Sequence, residues 1–150
     1  MSGDLLIQNV MMVLPSGIVE GDLRIIKGTI RTIAPNGGIE PVLDEMVIDG
    51  TGLHLLPGAI DPHVHFRDPG HPEKEDLESG SRAAASGGIT SFLDMPNTVP
   101  NAINRISLEQ KISLASKKAV THHGFFIGAT ANNVADLRSV EGMQGVCGIK

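Results

Sequence analysis

Within Asp61-Pro62-His63-Val64-His65-Phe66-Arg67-Asp68-Pro69-Gly70, two histidines stand one residue apart and an arginine follows at the same spacing. In a β-strand, residues two apart point to the same face. His63, His65 and Arg67 are therefore expected on one face. Two imidazoles so placed supply two nitrogen donors to a zinc-type ion. Arg67 adds a planar fork that matches a carboxylate. Asp68-Pro69-Gly70 turns the chain away directly afterwards. A His-x-His pair by itself is more often two surface or core histidines than a metal site, so its place in the fold decides what it means.

The surrounding pattern supplies that place. From Gly58 onward, strands and helices alternate. Ala59 to Phe66 is a strand candidate, and Pro72-Glu73-Lys74-Glu75-Asp76-Leu77 opens a helix with acidic residues in its first turn. That helix runs through Arg82-Ala83-Ala84-Ala85 and stops at Gly87-Gly88. Ile89 to Leu93 is the next strand. Ser107-Leu108-Glu109-Gln110 has the spelling of a capping box. The helix behind it places Leu108, Ile112, Ala115 and Ala119 on one face. Phe125-Phe126-Ile127 is a third strand, Val134, Leu137 and Val140 mark a short helix ended by Gly142, and Gly145 to Lys150 is a fourth strand. Such alternation gives right-handed βαβ units and a parallel sheet. Four strands of this kind make half of a (β/α)8 barrel or a small open α/β sheet. His63 and His65 then close the first strand, at the carboxyl end where α/β barrels build their sites. The fourth strand has no covering helix after it, so the sequence is expected to be part of a longer protein.

Residues 1–56 follow a different regime. Short apolar runs (Leu5–Ile7, Val10–Leu14, Leu23–Ile26, Thr29–Ile33, Met46–Ile48, Leu53–Leu56) alternate with breakers at Pro15-Ser16-Gly17, Lys27-Gly28 and Pro35-Asn36-Gly37-Gly38. They predict a small antiparallel β unit with a tight hairpin at Lys27-Gly28. The domain reading is a β segment over 1–56 and four βα units over 57–150.

Composition limits the rest. At 41% hydrophobic and 19% charged the 150 residues are globular in type, and with no Trp or Tyr the core must be largely aliphatic. The net charge of -5 and the lack of a basic cluster argue against nucleic acid or an anionic membrane as partner. A lone Cys147 suits a reducing, cytoplasmic setting, and it reads as a packing residue. Asp61 is assigned a structural or metal-supporting role, Asp94 none. His122-His123 is placed at the non-catalytic start of a strand, His54 in a linker and His71 in a surface loop.

Taken in order, Leu56-Pro57-Gly58 through Asp68-Pro69-Gly70, Lys74-Glu75-Asp76 through Gly87-Gly88-Ile89-Thr90, Met95-Pro96-Asn97-Thr98 and Gly148-Ile149-Lys150 resemble the amidohydrolase superfamily, and within it the dihydroorotase family. The resemblance is strong over 56–100 and weak over 1–50. It implies the first half of a (β/α)8 TIM-type barrel with an N-terminal accessory β-sandwich segment. It implies that His63 and His65 bind the more buried of two zinc ions, and that Lys150 is carboxylated and bridges the two through its carbamate. Arg67 and Asn97 match the positions that hold a substrate carboxylate. The implied activity is reversible interconversion of dihydroorotate and N-carbamoyl-L-aspartate, in pyrimidine biosynthesis. Two more histidines and the proton-shuttle aspartate are expected beyond residue 150, so residues 1–150 alone are expected to be inactive. A homo-oligomer acting on this small molecule is the expected assembly. The alternatives are an allantoinase, a dihydropyrimidinase or hydantoinase, or a non-catalytic homologue that serves as an assembly partner.

Overall fold

The structure, a computed structural model, describes residues 3–150. The chain divides into two compact units, 1–57 and 58–150.

In the first unit, β1 (Leu5–Leu14), β2 (Gly17–Ile26), β3 (Thr29–Pro35), β4 (Met46–Asp49) and β5 (His54–Leu55) form one sheet. Its order is β3-β2-β1-β4, with β5 also on β1. The β2–β3 hairpin turns at Lys27 and Gly28, both at positive φ, as the sequence predicts. The expectation of a purely antiparallel unit is corrected, because β4 and β5 pair parallel to β1. The long connection over 36–45 is the reason. It is no tight turn, and it carries the chain back to the beginning of β1 before β4 starts. His54 thus lies in a strand rather than a linker. Val10, Met12 and Leu23 form the core of this unit.

The second unit winds as β6 (Ala59–Val64), α1 (Leu77–Ser86), β7 (Ile89–Asp94), α2 (Arg105–Lys118), β8 (His122–Ile127), α3 (Val134–Ser139) and β9 (Val146–Ile149). All adjacent strands are parallel, and their order is β6-β7-β8-β9. A doubly wound sheet would reverse direction partway. This order steps one strand at a time with a helix in each crossover, which is the winding of a (β/α)8 barrel. Phe66, Leu77, Phe92, Leu108, Ala115, Phe125 and Ile127 fill the space between sheet and helices. No helix among the described residues is long and apolar enough to cross a membrane.

Both longer helices start elsewhere than the sequence suggests. Residues 72–75 form turns, and Asp76 caps α1 by accepting a hydrogen bond from the Ser79 amide at 2.7 Å. The backbone carbonyl of Glu75 is already committed to the Arg67 amide at 3.0 Å. The cap of α2 is Asn104, which accepts from the Ser107 amide at 2.8 Å, so Ser107 is the third helical residue and not the cap. An Asn104→Ala substitution is expected to cost about 1 kcal/mol. With no Trp or Tyr in the sequence, urea denaturation followed by far-UV circular dichroism is the measurement that checks it. Cys147 is exposed on β9, with its side chain beside Gly124 of β8. Among the described residues β9 has a strand neighbour on one side only, and a residue in such a strand is not covered by pairing alone.

The candidate metal centre and its neighbours

β6 ends at Val64. His63 is its penultimate residue, while His65 and Arg67 lie just past it. Strand alternation therefore does not extend through Arg67, and the pairing with β7 is already irregular between Asp61 and Val64. The two imidazoles nevertheless sit side by side, with ring centroids 5.1 Å apart and planes tilted by 48°. Both residues are exposed at the carboxyl end of the sheet.

The His65 ring is held. Its Nδ1 lies 2.8 Å from Oδ1 of Asn97. An amide oxygen only accepts, so Nδ1 is the donor of this pair and Nε2 is the nitrogen left for a metal. A metal-binding histidine is oriented in this way by the partner of its other nitrogen. His63 is tethered through its backbone instead, its amide donating to Oδ1 of Asp61 at 3.1 Å. Asp61 thus supports the pair from the strand side.

Arg67 is half-buried. Its amide donates to the Glu75 carbonyl, and its carbonyl accepts from the His71 amide at 2.7 Å. The loop that carries it is anchored by buried Asp68, whose Oδ2 accepts from Lys118 Nζ at 2.7 Å. This hydrogen bond raises the Lys118 pKa above the ordinary lysine value. Lys150 follows β9, its amide bonded to the Ile127 carbonyl and its own carbonyl to the Ala129 amide. In a parallel sheet that position shares the carboxyl end with His63 and His65. His122 and His123 open β8 at the opposite end, and exposed His71 lies 3.2 Å from Glu73.

Two residues that sequence reasoning left without a role lie directly beneath this end. Asp94, the last residue of β7, is fully buried, and so is Lys111 of α2. Lys111 Nζ is 3.0 Å from Asp94 Oδ2 and donates to the Met95 carbonyl at 2.7 Å. Asp94 Oδ2 makes no well-directed hydrogen bond, so the contact is ionic. Asp94 Oδ1 accepts from the Phe66 amide at 3.2 Å. Burial pushes the Asp94 carboxyl above, and the Lys111 ammonium below, their ordinary pKa values, each against the pull of the other's charge. The sequence does carry a signal for Lys111. It stands three residues after Leu108 and four before Ala115, inside an otherwise apolar stripe.

Residues 54–136 match the Amidohydrolase family. The chain belongs to that family. It is 40% identical to a dihydroorotase of Methanosarcina acetivorans over 129 residues, which cover 86% of this chain and 27% of the relative. It is 36% identical to an allantoinase of Deinococcus radiodurans over 151 aligned positions, which cover 100% of this chain and 33% of the relative. Among solved structures, L-hydantoinase (dihydropyrimidinase) from Arthrobacter aurescens superposes with a TM-score of 0.89 at 26% identity, covering 99% of this chain and 32% of the other. The chain thus spans about a third of the length of the relatives it matches. The sheet of residues 58–150 is part of an amidohydrolase barrel, and the relatives are cyclic amidohydrolases.

Such a barrel implies a metal, and the donor set can be tested against one. His63 and His65 offer two adjacent imidazoles, one held by Asn97 through its other nitrogen, which suits a zinc-type ion. Among the described residues no group of three or more His, Cys, Asp or Glu side chains is close enough to hold an ion. The pair fits part of a coordination sphere.

Proposed function

We propose that this chain contributes the His-x-His half of a two-zinc dihydroorotase site. The observation that carries the reading is the His65–Asn97 hydrogen bond, which sets a metal-competent imidazole at the same strand end as Arg67. When bound, the ions supply an activated water and polarise the ring amide carbonyl. His63 and His65 donate their free ring nitrogens. Lys150, once carboxylated, replaces an ammonium that cannot bind metal with a carbamate that offers two oxygens. Arg67 receives the carboxylate of dihydroorotate as a two-pronged ion pair. Asn97 serves both neighbours: its Oδ1 holds His65, and its Nδ2 is left to donate to that carboxylate. Water adds to the ring carbonyl carbon, the ring C–N bond breaks, and the nitrogen takes a proton to give N-carbamoyl-L-aspartate.

A second reading is an allantoinase, favoured by the match to the Deinococcus radiodurans enzyme along the whole chain. Assays of the full-length protein with dihydroorotate, allantoin and dihydrouracil, alongside metal analysis, separate the two. Turnover of allantoin without turnover of dihydroorotate overturns the first reading. Arg67→Ala is expected to lower kcat/KM for dihydroorotate by about a hundredfold, the worth of a charged hydrogen-bond pair, with metal content unchanged. Parallel loss of metal would show that Arg67 supports the loop instead.

A further inference from the structure

The backbone past Val64 has left the sheet ladder, yet it must hold two imidazoles in register. Three contacts fix it, all from the end of β7 and from α2. The Met95 amide donates to the Val64 carbonyl at 3.0 Å. The Phe66 amide, between His65 and Arg67, donates to Asp94 Oδ1. Lys111 Nζ bridges Asp94 Oδ2 and the Met95 carbonyl, and lies 5.1 Å from the centre of the Phe125 ring. Two buried ions are an expensive way to fill a core, since apolar side chains of the same volume are often equal or better for stability. What an apolar pair could not do is receive the Phe66 N–H and the Met95 carbonyl where the strands stop. Phe66 is itself clamped, its ring 4.7 Å from that of Phe92, and a Cβ on Gly80 would meet it at 2.6 Å.

We propose that Asp94, kept in the core by Lys111 as its counter-ion, is a positioning residue for the metal site, its carboxylate holding the backbone between His65 and Arg67 so that the two imidazoles converge on one ion. The proposal rests on the metal-site reading above. It predicts that what counts is an acceptor at position 94, not the charge.

Two double variants of the full-length protein separate these terms. Asp94→Asn with Lys111→Met keeps the acceptor for Phe66 and removes both charges. Asp94→Leu with Lys111→Met keeps the volume and removes the acceptor. Affinity for Zn(II), measured by competition with a chromophoric chelator, is expected within about threefold of wild type for the first. For the second it is expected to be 10- to 100-fold weaker, the usual effect of losing support behind a ligand. The visible spectrum of bound Co(II) should change only in the second. Equal affinity and spectra in the wild type and the leucine variant overturn the proposal. Failure of the wild type to take up metal overturns the site reading instead. Amide hydrogen exchange of the metal-free wild type tests the pair independently of metal, and of whether the leucine variant folds. The Phe66 amide is expected to be as protected as those of β7. Exchange at the rate of an open loop overturns the proposal.

Discussion

Replacing His63 by alanine is expected to abolish stoichiometric zinc binding and to cost the full-length protein at least about a thousandfold in kcat. Three decades correspond to ~4 kcal/mol of transition-state stabilisation, within what a bound metal supplies by polarising a carbonyl and activating water. His63 is exposed and its ring touches His65 rather than the core. The fold should therefore survive, and circular dichroism should match wild type. His65→Ala is expected to behave in the same way, and Asn97→Ala to show a milder loss of metal affinity. Metal analysis after gel filtration, with assay before and after added zinc, is the check. Full zinc content in the alanine variants would remove the basis of the site.

The largest effect on stability is expected at Lys111. Lys111→Met leaves the Asp94 carboxylate fully buried without its counter-charge, which typically costs about 3–5 kcal/mol. The loss should depend on pH, with a definite sign. Burial already places the Asp94 carboxyl above its ordinary value, and removing Lys111 takes away the charge that pulls it down. A carboxyl whose pKa is higher folded than unfolded holds its proton more tightly in the folded state. Its contribution to stability is complete below the unfolded carboxylate pKa and is lost as pH rises through the folded one. The deficit of Lys111→Met relative to wild type is thus expected to shrink on acidification and to widen toward neutral pH. Urea denaturation at several pH values measures it. A deficit independent of pH would show that lost packing, and not the stranded carboxylate, is responsible.

Much of the second unit was legible because parallel strands and amphipathic helices announce themselves through different periodicities. Phe125 to Ile127 is apolar throughout and Ile89, Phe92 and Leu93 dominate the stretch before it, as suits strands covered by helices, and Gly87-Gly88 stops α1 where expected. The helix starts were not legible. Glu73-Lys74-Glu75 has helical composition, but its backbone closes the loop that carries Arg67, and one local hydrogen bond outweighs propensity there. Ser107 to Gln110 spells a capping box, but Asn104 caps the helix three residues earlier by accepting from the Ser107 amide, which leaves Ser107 inside the helix. In the first unit, the direction of β4 depends on where a ten-residue connection delivers the chain, which hydropathy does not encode. For the candidate site, the nearness of the two histidines was readable from spacing, and Asn97 entered only by resemblance. The hydrogen bond that makes Asn97 a partner of His65 spans 32 positions. Asp94 escaped notice because a carboxylate that ends a strand is ordinarily solvated. Its burial depends on a lysine 17 positions later, at a spot where periodicity calls for an aliphatic residue.

Apart from Asp61, the ties that hold the two candidate ligands and the backbone between them come from Asp94, Met95 and Asn97, with Lys111 behind them, all outside β6 and the residues that directly follow it. The His-x-His sequence is therefore not a portable cassette. Grafted alone onto another barrel, residues 59–65 would deliver two loosely aimed imidazoles. The smallest piece that carries its own alignment runs from β6 through α2, residues 59–118, and a designer who wishes to move this half-site must move two strands and two helices with it.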